Sequence, residues 1–247
     1  MSGPAHGARA RRPLVIVGAG GFARETAALV EAINDQSSTW DLLGYADDSP
    51  ALAGTMLSGR PVLGPAEIVH ELTDAAVVIC IGNPRNYGSR ARVVDRLALA
   101  PERYTTLVHP GAHVARSVAI GEGTVVHATS VLTADITVGA HVAIMPGVVL
   151  THDDVIGDFA TFGSGVRISG GVEIGEGAYV GAGALVRENL TVGAWSTVGM
   201  GALVTRPIPP AEVWMGVPAR YVRAAPTPGR PIAGGVDGGM SAVTTCC

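Results

Sequence analysis

Residues 149–180 read VLTHDDVIGDFATFGSGVRISGGVEIGEGAYV, and every sixth residue, from Leu150 through Ile156, Phe162, Ile168 and Ile174 to Val180, is large and apolar. The same step runs back through Ile144, Val138, Leu132, Val126, Ile120 and Val114 to Val108, and on through Val186, Val192 and Val198 to Val204. A period of six is a multiple of the strand period of two and not of the helix period of 3.6, so these segments are extended. Two residues before each apolar position the side chain is mostly small or aliphatic, as at Val142, Val148, Ala160, Val166, Val172 and Ala178, and shares the same face. Gly, Asp, Glu and Asn fill the remaining places and permit a corner in every hexad. One short strand and one corner per hexad wind the chain into a parallel β-helix, each coil pairing with the coils above and below.

The repeat begins near residue 107 and leaves an ordinary domain's length of the 247 residues before it. The expected division is a flexible start over 1–12, an α/β domain over 13–105, the β-helix over 106–222 and a disordered tail over 223–247. Scarce aromatic residues and abundant glycine suit a thin coil core. A net charge of −4 gives no general attraction to nucleic acid. No apolar run approaches membrane-spanning length. The basic opening precedes an apolar run, Leu14 to Val17, that is too short for a secretory signal, so a cytoplasmic location is expected. Three cysteines form no metal or disulfide pattern: Cys80 lies in the apolar run AAVVICI and reads as a buried strand residue, while Cys246 and Cys247 end the tail.

The first domain opens with the strand Leu14-Val15-Ile16-Val17, the turn Gly18-Ala19-Gly20-Gly21-Phe22-Ala23 and a helix from Arg24 to Ile33. The form G-x-G-x-x-A lets backbone approach a phosphate at a helix N-terminus. It can equally serve only to turn a strand into a helix. A nicotinamide site would call for an acid about twenty residues on, and the candidates Asp47 and Asp48 come later.

The hexads resemble those of the hexapeptide-repeat acyltransferases, which implies a left-handed triangular prism with three hexads per coil. Residues eighteen apart then stack, giving between five and six coils and a prism roughly 25 Å tall at about 4.8 Å per coil. Over nearly its whole length the chain is similar to the sialic acid O-acetyltransferase family, which includes the acetyltransferases of nucleotide-linked 4-amino sugars and joins a Rossmann-like domain to the β-helix. The stretches that carry the resemblance are Gly18 to Ala23, Tyr45 to Asp48, Arg60 to Gly64, Ile81-Gly82-Asn83, Val108-His109-Pro110, Thr151-His152-Asp153 and Gly216 to Arg220. It implies an acceptor-sugar site in the first domain, at Gly20, Gly21, Phe22, Asp47, Asp48 and Asn83. It also implies a homotrimer that binds acetyl-CoA or another acyl-CoA between adjacent subunits, with no metal.

Acyl transfer needs a base to take the acceptor's proton, and histidine is best matched near neutral pH. Of seven histidines, His6 and His70 read as surface groups, His109 and His127 stack one coil apart, and His113 and His141 precede aliphatic hexad positions. His152 matches the family's general base. Asp153 or Asp154 orients its ring, and Asp154 occupies an inward slot where a carboxylate must either turn outward or be satisfied. Gly170, eighteen residues on, matches the family's backbone donor to the thioester carbonyl. The resemblance also implies that Ala182 and Met200, stacked with Ser164, flank the pantetheine arm, and that Val217, Pro218 and Arg220 lie near the nucleotide end. Two residues depart from the pattern. Phe22 stands where relatives carry histidine, and Thr161 replaces a second histidine found near the thioester in the amino-sugar enzymes.

The expected function is acyl-CoA dependent O- or N-acylation of a sugar, a nucleotide sugar or a sugar-containing metabolite. A noncatalytic binding or assembly module is the alternative. A trimeric zinc enzyme of the carbonic anhydrase type would need paired histidines five positions apart, which the sequence lacks.

Overall fold

The computed structural model describes residues 11–82, 86 and 88–226, and therefore not His6, Asn83, Cys246 or Cys247. The first domain runs β1 (Arg12–Val17), α1 (Gly21–Ser37), β2 (Trp40–Ala46), β3 (Met56–Leu57), β4 (Arg60–Gly64), β5 (Ala76–Ile79) and α2 (Ser89–Leu97). Its sheet has the order β3-β4-β2-β1-β5, parallel except for the β3–β4 pair. A strand at the centre of such a sheet is covered on both faces and is apolar throughout. In β1, Leu14 and Ile16 pack with Ala23, Ala27 and Val30 of α1, while Val15 and Val17 pack with Val93 and Leu97 of α2 on the other face. Gly18 ends the strand at φ +108°, where a Cβ would meet the Cys80 carbonyl, so glycine is required there by the neighbouring strand.

From Leu107–Val108 to Leu203–Val204 the chain forms two-residue strands in three parallel sheets, and the second domain is a left-handed β-helix. Residues eighteen apart pair, as in Leu132 with Leu150, Val138 with Ile156 and Ile144 with Phe162. The hexad residues from Val126 to Val204 point inward and are buried, with Ile136, Val142, Val148, Ala160, Val166 and Val172 beside them. Polar residues in the inward slots are satisfied by backbone. The hydroxyls of Thr124, Ser130 and Ser196 donate to the carbonyls of Gly139, Met145 and Pro209 at 2.9, 3.1 and 2.7 Å. Asp154 accepts instead, from the N–H groups of Thr151 and Val172, both at 2.9 Å. It is therefore buried and satisfied, and it does not turn outward.

The solenoid closes with Glu212–Met215, parallel to Thr197–Val198 and antiparallel to Arg220–Ala224. Order thus continues two residues beyond the expected boundary at 222, because Arg223 and Ala224 complete that hairpin. At the other end, Arg12 already belongs to β1 and pairs with Trp40.

The first domain sits on one face of the prism. Leu107 and Val125 of that face join the domain's own apolar core, and Ala143 and Thr161 beyond them are buried. His127 lies 5.9 Å from Phe22 between ring centroids. His141 stacks on Phe159 at 5.3 Å and meets Tyr104 edge-on at 4.6 Å. Neither His127 Nε2 nor His141 Nδ1 finds a partner among the described residues. Burial, with His109 nearby, pushes His127 down to about 4, and burial, with Arg90 nearby, does the same to His141. Burial raises Asp154 to about 6 against the pull of its two N–H donors.

These groups set a pH dependence of stability. Below about 6.5 the unfolded chain protonates both histidines while the folded chain refuses until about 4, so each removes about 1.4 kcal/mol per pH unit across that interval. Asp154 has the opposite sign: as pH falls from about 6 toward its ordinary value of 3.8, the folded chain takes the proton first. Two losses against one gain leave a net fall of about 1.4 kcal/mol per unit. Thermal unfolding should show the midpoint dropping from pH 6 to pH 4.5, and His141→Phe, which keeps a ring over Phe159, should flatten the slope. A midpoint that does not move with pH would contradict this account.

Candidate functional site

His152 and Gly170 occupy the same corner of successive coils. The Cβ that Gly170 lacks would fall against the imidazole of His152, so the glycine makes room for the ring; its φ is not in the left-handed region. Gly171 N–H donates to the His152 carbonyl at 2.9 Å and Asn189 N–H donates to the Gly170 carbonyl at 3.0 Å, which fixes the two backbones. Gly170 N–H itself donates to no group among the described residues.

His152 Nδ1 lies 2.8 Å from Asp153 Oδ2, and both side chains are 67% exposed. Asp153 is in the left-handed region at φ 63°, which turns its carboxylate back toward the ring of the preceding residue. With a carboxylate on Nδ1, the proton of the neutral imidazole sits there and the Nε2 lone pair is free to take another. Asp154 spends both oxygens on backbone N–H groups and serves the corner, not the ring. The structure thus pairs His152 with Asp153.

Ala182 and Met200 lie on a different vertex, half-buried and 80% exposed respectively, in column with Ser164. Val217, Pro218 and Arg220 are exposed in the terminal hairpin, with Arg220 Nη1 donating to the Ala219 carbonyl at 2.9 Å. Chain order explains the separation. Each coil runs from the Thr161–Phe162 sheet through the Ser164 corner to the Arg167–Ile168 sheet, and then through the Gly170 corner to the Glu173–Ile174 sheet. One copy of the chain does not bring these two corners together.

In the first domain, Gly18, Ala19, Gly20, Gly21, Phe22 and Asp47 line a cleft of about 120 Å³ with Cys80, Ile81 and Gly82, at the carboxyl ends of β1, β2 and β5. Asp48 lines an adjoining cleft of about 140 Å³. Open α/β sheets bind ligands at such a place. Gly20 and Gly21 have open space where a Cβ would stand, and neither has a positive φ, so the fold does not require glycine at either position. Their bareness leaves the N-terminus of α1 uncovered, with no side-chain cap and no acid in its first turn. Asp47 is occupied structurally, accepting from Ala19 N–H and Ser49 N–H at 2.9 Å each, and so shapes the loop. Asp48 accepts from Ala66 N–H and pairs with Arg96 at 2.7 Å; burial acts to raise its carboxyl, but these donors hold it below its ordinary value.

Thr161 is not at the His152 corner. It is buried under the first domain and its hydroxyl accepts from Arg90 Nη2 at 2.8 Å. Arg90 itself was not visible as special: in SRARVVDRL it reads as one of several surface cations of a helix. Among the described residues no group of three or more His, Cys, Asp or Glu side chains is placed to hold a metal ion, and no helix is long and apolar enough to cross a membrane.

Comparison with known proteins finds likeness in both halves. Residues 13–97 match the family described as the PglD N-terminal domain. The chain is 36% identical over 117 residues to UDP-N-acetylbacillosamine N-acetyltransferase of Bacillus subtilis, a match spanning 45% of this chain and half the length of that relative. Among solved structures, the acetyltransferase domain of PglB from Neisseria gonorrhoeae in complex with acetyl coenzyme A is 29% identical with a TM-score of 0.76, covering 86% of this chain and 100% of that one. PerB from Caulobacter crescentus, solved with CoA and GDP-perosamine, is 29% identical with a TM-score of 0.74, covering 85% of this chain and 97% of that one. The chain is thus similar to hexapeptide-repeat sugar acetyltransferases.

A methyl group at position 170 should push the His152 ring aside without disturbing the coil, because the ring is exposed and can swing out. Gly170→Ala is therefore expected to keep its thermal midpoint and, under the activity proposed below, to lose about 100-fold in acyl transfer. Thiol release from acetyl-CoA in the presence of an acceptor measures it.

Proposed function

We propose that this chain is an acyl-CoA dependent acyltransferase that transfers acetyl from acetyl-CoA to the amine of a nucleotide-linked amino sugar. The observation that carries the reading is the His152–Asp153 pair standing beside the free N–H of Gly170 at one corner of a left-handed β-helix. The Bacillus subtilis relative is an N-acetyltransferase, and so is the perosamine enzyme of Caulobacter crescentus solved with CoA and GDP-perosamine, which supports an amine rather than a hydroxyl acceptor.

In the reaction the acceptor nitrogen attacks the thioester carbonyl and the carbonyl electrons move onto oxygen. Gly170 N–H donates to that oxygen as its charge develops. His152 Nε2 takes the proton from the attacking nitrogen while Asp153 steadies the imidazolium through Nδ1. Collapse of the tetrahedral intermediate breaks the carbon–sulfur bond, and the proton held on His152 passes to the departing sulfur. The products are the acetamido sugar and free coenzyme A.

The acceptor cleft is assigned to the first domain and the coenzyme to two vertices of the prism. Within one copy the first domain covers the face that holds Thr161, whereas His152 stands on the vertex opposite that face. A homotrimer resolves this: a neighbouring copy brings its Ala182–Met200 vertex and its own first domain toward His152. A cytoplasmic location accords with the use of acetyl-CoA.

The experiment is subunit complementation. His152→Ala is expected to fold, to bind acetyl-CoA and to lose acyl transfer by at least about 100-fold. A second variant, Gly20→Trp, fills the acceptor cleft and should also be inactive. Co-refolded mixtures of the two should regain a fraction of wild-type turnover. Near-normal turnover by His152→Ala would sink the proposed base, and coenzyme A binding without turnover on any amino sugar or hydroxyl acceptor would return the chain to a binding role.

A further inference from the structure

Arg90, in the first turn of α2, is 1% exposed and heads the fully buried side chains by volume. No carboxylate pairs with it among the described residues. Burial pulls it down to about 10, which still leaves a cation at neutral pH. An unpaired buried charge is costly unless its donors are met, and here neutral oxygens meet them. Nε donates to the His141 carbonyl at 2.7 Å and Nη1 to the Ile81 carbonyl at 3.1 Å. Nη2 donates to the carbonyls of Phe159 and Ala160 at 2.7 and 3.2 Å and to the Thr161 hydroxyl at 2.8 Å.

His141 and Phe159 are equivalent positions on successive coils, and their carbonyls accept no backbone N–H among the described residues. The planar fork of a guanidinium reaches both at once, which a lysine ammonium does not reproduce. Ile81 belongs to the acceptor cleft, beside Gly82 and the glycine loop. One side chain therefore fastens the cleft's rim and α2 to two coils of the prism.

We infer that Arg90 is a positioning residue for acceptor binding, setting the cleft at Ile81 against the coils of the β-helix so that a bound acceptor is presented at a fixed place. The inference rests on the proposed acyl transfer for its kinetic consequence, though the contact that carries it does not. Other cations of α2 are differently employed: Arg96 pairs with Asp48 and Glu67 near the surface, and Arg92 reaches Asn86.

The test compares Arg90→Met and Arg90→Lys with the wild-type chain. Arg90→Met is expected to raise the KM for a nucleotide amino sugar about tenfold, or about 1.4 kcal/mol, and to lower kcat as the acceptor is presented less precisely, with the acetyl-CoA dissociation constant little changed. Arg90→Lys, with a point charge and no fork, should fall between the two and keeps the test alive if the Met variant does not fold. Methylguanidine added to Arg90→Ala should lower the acceptor KM again. Amide hydrogen exchange in the variants should quicken at Cys80, whose N–H beside Ile81 donates to the Val17 carbonyl, and stay unchanged at the distal coils. An unaltered acceptor KM in both substituted chains, or an acetyl-CoA constant that rises in step with it, would overturn the inference. If the wild-type chain acylates no acceptor, the proposed activity fails instead, and exchange at Cys80 still decides whether Arg90 fixes the cleft.

Discussion

Backbone N–H groups of each coil donate to carbonyls one coil on, as Thr137 does to Asp154, Gly157 to Ile174 and Gly193 to Ile208. This ladder holds neighbouring coils at strand spacing and forbids slippage, since a shift of one residue would turn the inward row of Leu150, Ile156 and Phe162 to solvent. Every column of side chains follows from it. His152 faces Gly170 because they differ by one coil, and the ring fits because the next residue in the column has no side chain. A side-chain arrangement that other folds reach through loops is here fixed by a repeat.

Two charged groups sit inside this apolar frame, and each is met by backbone. Asp154 receives N–H groups from its own corner and from the next coil, while Arg90 gives its donors to carbonyls that the ladder leaves over. Removing either side chain would strand several polar groups at about 1–3 kcal/mol apiece. The two also differ in reach. Asp154 ties one coil to the next within the prism, whereas Arg90 ties the prism to a separate domain.

The solenoid was legible because a six-residue apolar step is local information repeated many times, and counting in eighteens placed Gly170 beside His152. The glycine turn before α1 was legible for the same local reason. Asp154 stood out as a polar residue in an inward slot, but its partners belong to positions 151 and 172, and choosing between satisfied and outward needed coordinates. Arg90 left no signal, because its burial depends on how two domains meet. The hold of Arg90 on the Thr161 hydroxyl is hidden for the same reason, since it belongs to that junction. What the sequence hides are contacts between parts that are each readable alone.

The same separation bears on how a site can be assembled. The cleft of the first domain on one face, the His152 ring on the opposite vertex and the Ala182–Met200 column at a third place cannot converge within a single rigid prism, whose corners are kept apart by three sheets. Side-chain motion does not close that gap, since the vertices are joined by hydrogen-bonded coils and not by hinges. Under the proposed activity, the distance is bridged only by setting a second copy against the first, so that neighbouring copies supply complementary corners. The value of fastening the first domain rigidly then becomes clear: a cleft that serves another copy's histidine must be held by its own prism, because any rocking at the Arg90 junction would be carried into the neighbouring site.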